Sequence, residues 1–96
     1  MSLRLVITMS AAPGKGAELA AAMKSRCEIS QQDAGCEQFE VFRSALDPDK
    51  LILLERWTSK EALAAHAQLQ RQRPPLPPGL RLGDGEREDY EYNRTR

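Results

Sequence analysis

Leu51-Ile52-Leu53-Leu54-Glu55-Arg56-Trp57 is the most apolar run in the chain, and the alternation of its side chains decides the fold. In an extended strand neighbouring residues point to opposite faces, so Leu51, Leu53 and Trp57 share one side while Ile52 and Leu54 take the other. Both faces are apolar, which places this strand inside a sheet that needs cover on each side.

Working outward, Asp47-Pro48-Asp49 just before the run is a turn signal, since Pro48 pre-sets its backbone angle and the flanking Asp side chains can bond nearby amides. Ahead of that turn, Cys36 to Ser44 alternates again, with Phe39 and Val41 opposite Gln38, Glu40 and Phe42. The two runs pair as a hairpin. Behind Trp57, Thr58-Ser59-Lys60-Glu61 offers a capping box with Thr58 as N-cap and Glu61 reaching back to the cap amide. The helix it opens carries Leu63, His66, Ala67 and Gln70 along one face and ends before Pro74.

Further out, Leu3 to Ser10 has a period of two and reads as a strand. Pro13, Gly14 and Gly16 break it, and the Ala-rich stretch from Ala17 to about Gln32 is a strong helix former with Leu19, Met23 and Cys27 on one narrow face. Gly35 stops that helix. Pro74-Pro75-Leu76-Pro77-Pro78-Gly79 can be neither helix nor central strand. It contains a Pro-x-x-Pro pattern and is expected to serve as a stiff, extended spacer. Glu86 to Asn93 alternates weakly and is expected to be an edge strand with Tyr90 and Tyr92 turned inward.

The resulting order is βαββαβ: an α+β, ferredoxin-like arrangement in which a four-stranded antiparallel sheet carries two helices on one face. At 96 residues there is room for one such domain, spanning residues 1–96, and no second core. Two helices cover one side of the sheet, so the apolar second face asks for a partner, and the same face of a second chain gives an isologous homodimer.

Fourteen basic and fourteen acidic residues cancel and are scattered along the chain, which argues against nucleic acid as a partner. Leu5 to Met9 is too short an apolar run for a signal-peptide core or a membrane span, so the protein is expected in the cytoplasm. Cys27 and Cys36 are expected to be free thiols that fill space. No His or Cys pair has metal-ligand spacing, so no zinc site is expected.

Several of these pieces together resemble the antibiotic biosynthesis monooxygenase family of the dimeric α+β barrel superfamily. They are Ala12-Pro13-Gly14-Lys15 after an apolar strand, Ala34-Gly35-Cys36-Glu37-Gln38-Phe39-Glu40-Val41, Asp47-Pro48-Asp49, and above all Leu54-Glu55-Arg56-Trp57-Thr58-Ser59-Lys60-Glu61-Ala62-Leu63-Ala64-Ala65-His66. The resemblance implies a dimeric α+β barrel and an oxygenase that uses no cofactor. The chain also departs from its relatives. Many carry a further His soon after the position of His66, where this chain reads Gln68-Leu69-Gln70-Arg71; haem-degrading members carry an Asn on the first strand, where this chain offers Thr8 and Ser10.

By that resemblance Trp57 and His66 are the candidate catalytic residues, the indole N–H holding a substrate oxygen and the imidazole accepting a proton. Leu53, Met23 and Leu63 would wall the pocket and exclude water, Tyr90 would bring a hydroxyl, and Arg43 an anion-binding fork. Glu55, two residues before Trp57, is expected to sit in a structural ion pair with Arg43 or Arg4. The implied reaction is monooxygenation of a small aromatic compound of the phenol or hydroquinone type. A binding protein that kept the barrel and lost the reaction, and an isomerase of a small oxygenated metabolite, stand as alternatives.

Overall fold

The computed structural model describes residues 1–96 and orders them as β1 (Leu3–Ala11), α1 (Gly16–Ser30), β2 (Cys36–Arg43), β3 (Lys50–Trp57), α2 (Lys60–Arg71) and β4 (Arg81–Glu91). The strands form one antiparallel sheet in the order β2-β3-β1-β4, the ferredoxin-like α+β topology that the alternation of β3 predicts. β3 lies inside the sheet, where its two apolar faces require it to be. Leu51, Leu53 and Trp57 turn toward the helices, opposite Met9, Ile7 and Leu3 of β1. There they join Leu5, Phe39 and the Leu19, Met23 and Cys27 stripe of α1 in one core. Burying a side chain of this size contributes roughly 1.5–3 kcal/mol, so this small cluster carries much of the fold.

The turn between β2 and β3 also anchors α1. Lys15 at the helix N-cap contributes no side-chain capping hydrogen bond. Asp49 takes the role from a distance, accepting from Gly14 N at 2.9 Å and Gly16 N at 3.0 Å, so the hairpin and the helix start are fixed together. α1 ends at Ser30, short of Gly35; that glycine, at φ +82°, turns the chain into β2.

Two local expectations need correction. The N-cap of α2 is Ser59, whose hydroxyl accepts from Ala62 N at 3.1 Å, and not Thr58. Thr58 lies in the bend just past β3, with its own N–H donated to the Gly35 carbonyl, so the helix opens one residue later and Glu61 falls short of the capping-box position. β4 begins at Arg81 and not at Glu86, because Gly83 and Gly85, both at positive φ, let it bulge opposite the Thr8–Ser10 segment and resume pairing. Its pairing with β1 sets Tyr90 beside Arg4, on the face away from the helices, where Tyr90 is 52% exposed. The inward residues of β4 are therefore Arg87 and Asp89, the reverse of the expected Tyr-inward strand. Tyr92 lies beyond the strand and meets Arg4 and Arg56, whose guanidinium carbons sit 5.2 and 4.6 Å from its ring centre.

The helix-free face mixes Val6, Leu54, Ile52 and Phe42 with Arg4, Gln38, Glu40 and Arg56. Ile52 and Phe42 are 40% and 47% exposed. No helix is long and apolar enough to cross a membrane.

Candidate active site

α2 buries a single residue, and it is the histidine. His66 is held from several sides. Its ring lies 4.5 Å, centre to centre, from the Trp57 indole at a 35° tilt and 5.4 Å from Phe39. Nδ1 stands 2.7 Å from Asp33 Oδ2. Asp33, in the turn after α1, is gripped in turn by Arg73 just beyond α2, with Nη2 donating to Oδ1 at 2.6 Å and Nη1 to Oδ2 at 2.9 Å. The Arg73 hydrogen bonds, followed by that of His66, hold the Asp33 carboxyl below its ordinary value. The chain Arg73–Asp33–His66 thus engages one ring nitrogen and leaves Nε2 for whatever enters beside it.

What lies beside it is a cleft of about 640 Å³ between α2 and the sheet, within the size range of small-molecule sites. His66 and Leu63 line it from α2, Leu5 from β1, Glu55 from β3 and Arg87 from β4, with Lys60 and Arg71 at the rim. Glu55 is only 4% exposed. No cation pairs with its carboxylate: Arg4 reaches only its backbone carbonyl, and Arg43 donates to the Pro48 carbonyl at the far end of β2. The expected ion pair is absent, since Glu55 points to the helix side while Arg4 lies on the other. The Trp57 indole N–H donates to Glu55 Oε1 at 2.8 Å, and burial outweighs that bond and raises the carboxyl's affinity for its proton.

The sequence-predicted residues divide accordingly. His66 and Leu63 line the cleft. Trp57 stands behind them, fully buried, its N–H already given to Glu55 and not free for a substrate oxygen. Met23 and Leu53 belong to the core rather than the cleft wall. Arg43 borders a separate groove with Phe42 and Ile52, and Tyr90 faces away. Cys27 and Cys36 are free thiols, and burial pushes that of Cys27 up to about 11. Asp33, Arg73 and Arg87 were not among the candidates. Asp33 had no signal beyond an acidic residue in a turn, whereas an uncompensated charge at Glu55, on the apolar face of a central strand, was a signal open to a different reading.

The family model for antibiotic biosynthesis monooxygenases matches residues 2–73 of this sequence, three quarters of the chain and all of the cleft except its β4 wall. The chain belongs to this family. Among solved structures it is similar to PA3566 from Pseudomonas aeruginosa, with a TM-score of 0.80 at 23% identity over 97% of this chain and 95% of that one. A conserved protein from Methanosarcina mazei Go1 gives 0.77 at 20% identity, covering 97% and 94%. Rv0793 from Mycobacterium tuberculosis gives 0.75 at 18%, covering both chains fully. At these identities the likeness shows the fold alone. No curated protein matches the sequence. Membership of the antibiotic biosynthesis monooxygenase family supports a monooxygenase-like or small-molecule-binding role.

Proposed function

We propose that this member of the antibiotic biosynthesis monooxygenase family is a cofactor-independent monooxygenase acting on a small phenol or hydroquinone. The observation that carries the reading is the buried His66, fixed at Nδ1 by the Asp33–Arg73 pair and lining a cleft with its remaining edge. An electron-rich phenol becomes reactive toward dioxygen when it loses its proton. The work left to the protein is to supply a base, hold the ring and keep bulk water away.

His66 takes the phenolic proton, Trp57 supports the imidazole from behind, and Leu5 and Leu63 provide the apolar wall. A ring carbon then bonds to one atom of dioxygen, the O–O bond breaks, and that carbon becomes a carbonyl. The second oxygen leaves as water with the phenolic proton and the proton lost from carbon, so one phenol and one dioxygen give one quinone and one water.

The reading includes a homodimer through the helix-free sheet face, supported by Ile52, Phe42 and Leu54 there. It also includes residence in the cytoplasm, where buried Cys27 and half-buried Cys36 stay reduced. The binding-only alternative draws support from the occupied Trp57 N–H. Oxygen uptake with 1,4-naphthohydroquinone separates the two. A correctly placed base contributes about 10²–10⁴-fold, so His66→Ala should slow uptake by that factor, and unchanged turnover removes His66 from the mechanism.

A further inference from the structure

The cleft holds a second proton-handling group to which the base-only mechanism gives no work. Glu55 projects from the middle of the sheet into the same cleft as His66, is 4% exposed, has no cationic partner and receives a single hydrogen bond, from Trp57. An ionised carboxylate in that position lacks the donors that normally accompany a buried charge. A protonated carboxyl needs fewer partners, and it offers a proton on the side that Trp57 leaves open.

We propose that Glu55 is the catalytic acid of this site, protonated at rest and paired in function with His66 as the base. The assignment rests on the oxygenase reading above and completes its proton balance. His66 accepts the phenolic proton. The ring carbon and dioxygen form a C–O bond, leaving negative charge on the outer peroxide oxygen, and Glu55 protonates that oxygen. The Glu55 carboxylate then takes the hydrogen of the same ring carbon as a proton. The electron pair of that C–H bond forms the carbonyl and breaks the O–O bond, and the departing hydroxide takes the proton held by His66 and leaves as water. Both residues return to their starting states, and no outside electron donor is required.

The surroundings of Glu55 suit this role. Across the sheet its neighbours are Leu5 of β1 and Phe39 of β2, both apolar. Facing it from α2 are His66, with Lys60 and Arg71 at the rim; from β4 come Arg87 and Asp89, which pair with each other at 2.9 Å. Cys27 of α1 and Cys36 of β2 are the remaining titratable groups that respond to its charge, and burial keeps both as thiols. Arg87 and His66 favour the ionised form and Asp89 opposes it, but desolvation is the largest effect and leaves the carboxyl with its proton to a higher pH than usual.

Glu55→Gln tests the assignment, because the amide keeps the volume and an acceptor for the Trp57 N–H while removing the transferable proton. With 1,4-naphthohydroquinone, kcat should fall about 10²-fold or more with KM held. The high-pH limb of the wild-type kcat/KM profile should vanish in the variant. A variant as fast as wild type, or one that keeps that limb, overturns the role of Glu55. Wild-type protein that takes up no oxygen overturns the oxygenase reading instead. An infrared titration without substrate gives an independent answer: the protonated-carboxyl band lost in Glu55→Gln should have its midpoint above the pH at which the enzyme is assayed, and a midpoint below that pH refutes a proton held at rest.

Discussion

Asp33→Asn is the sharpest perturbation of this site, because it preserves the shape of the side chain and alters only its charge and donors. The carboxylate accepts two hydrogen bonds from Arg73, at 2.6 and 2.9 Å, and faces His66 Nδ1 at 2.7 Å. A hydrogen bond to a charged group contributes roughly 1.5–3 kcal/mol, but Arg73 can rehydrate when released, its side chain being 19% exposed. The net loss should be about 2 kcal/mol, which lowers the melting temperature of a domain this size by roughly 8–16 °C. The chemical effect is larger than the stability effect. The Asn amide can donate to Nδ1, which forces the ring proton onto Nε2 and removes the lone pair that faces the cleft. Oxygen uptake should then lose most of the roughly 10²–10⁴-fold worth of a general base. The pH dependence has a definite sign. The folded carboxyl titrates below its ordinary 3.8, so its contribution is complete above that value and is lost as pH falls through the lower folded value. The melting gap between wild type and variant should therefore hold from neutral pH down to 3.8 and close in stronger acid. A variant that melts with wild type at neutral pH and consumes oxygen at the wild-type rate would refute the claim that Asp33 positions the imidazole.

Two further changes probe the frame around the site. At Gly35, φ is +82° and an added Cβ would lie 2.5 Å from Ala62 Cβ and 2.7 Å from Thr58 Oγ1, so Gly35→Ala should cost about 1–3 kcal/mol in thermal or denaturant unfolding. An unchanged midpoint would show that the turn can relax away from α2. Leu54→Lys puts a charge on the helix-free sheet face, between Arg56 and Ile52, and sedimentation should report a shift from dimer to monomer. A dimer that survives the substitution would place the subunit contact elsewhere.

How much of this was legible in the sequence differs by element, and the reason is the strength of the local pattern. β3 announced itself because its apolar residues occupy both parities. α1 did so because Leu19, Met23 and Cys27 recur at every fourth residue. β4 was legible as an edge strand but not in its start or its face: only pairing with β1 shows that the chain bulges at Gly83 to Gly85 and continues. The register with β1 sets its face: Asp89 pairs with the inward Leu5 and Tyr90 with the outward Arg4, so Tyr90 leaves the candidate site. His66 was legible through the family resemblance, whereas its supports were not. Asp33 and Arg73 come to it from the turn after α1 and the end of α2, 40 residues apart in sequence, and no short spacing encodes a three-residue contact of that kind. Glu55 was placed on the correct face by alternation alone, but alternation says nothing of which charges arrive from other elements, and here none pairs with it.

The same contacts explain why the cleft lies under α2 and not under α1. α1 presents an apolar stripe, Leu19, Met23 and Cys27, that the sheet can bury, and it closes down chiefly on β2. α2 offers Leu63 and Ala67 but buries only His66, while the inward residues of β4 below it are Arg87 and Asp89, which resist dry packing. Apolar contact alone is a weak hold on such a helix. Its C-terminal end is tied instead by Arg73, which reaches across to Asp33 in the α1–β2 turn, and its middle by His66 against Trp57. The hydrogen bonds that orient the imidazole are thus also those that dock the helix. A loss of the Asp33–Arg73 pair should loosen α2 and misplace the base in one event, and this coupling is the reason the melting and oxygen-uptake effects of Asp33→Asn are expected together.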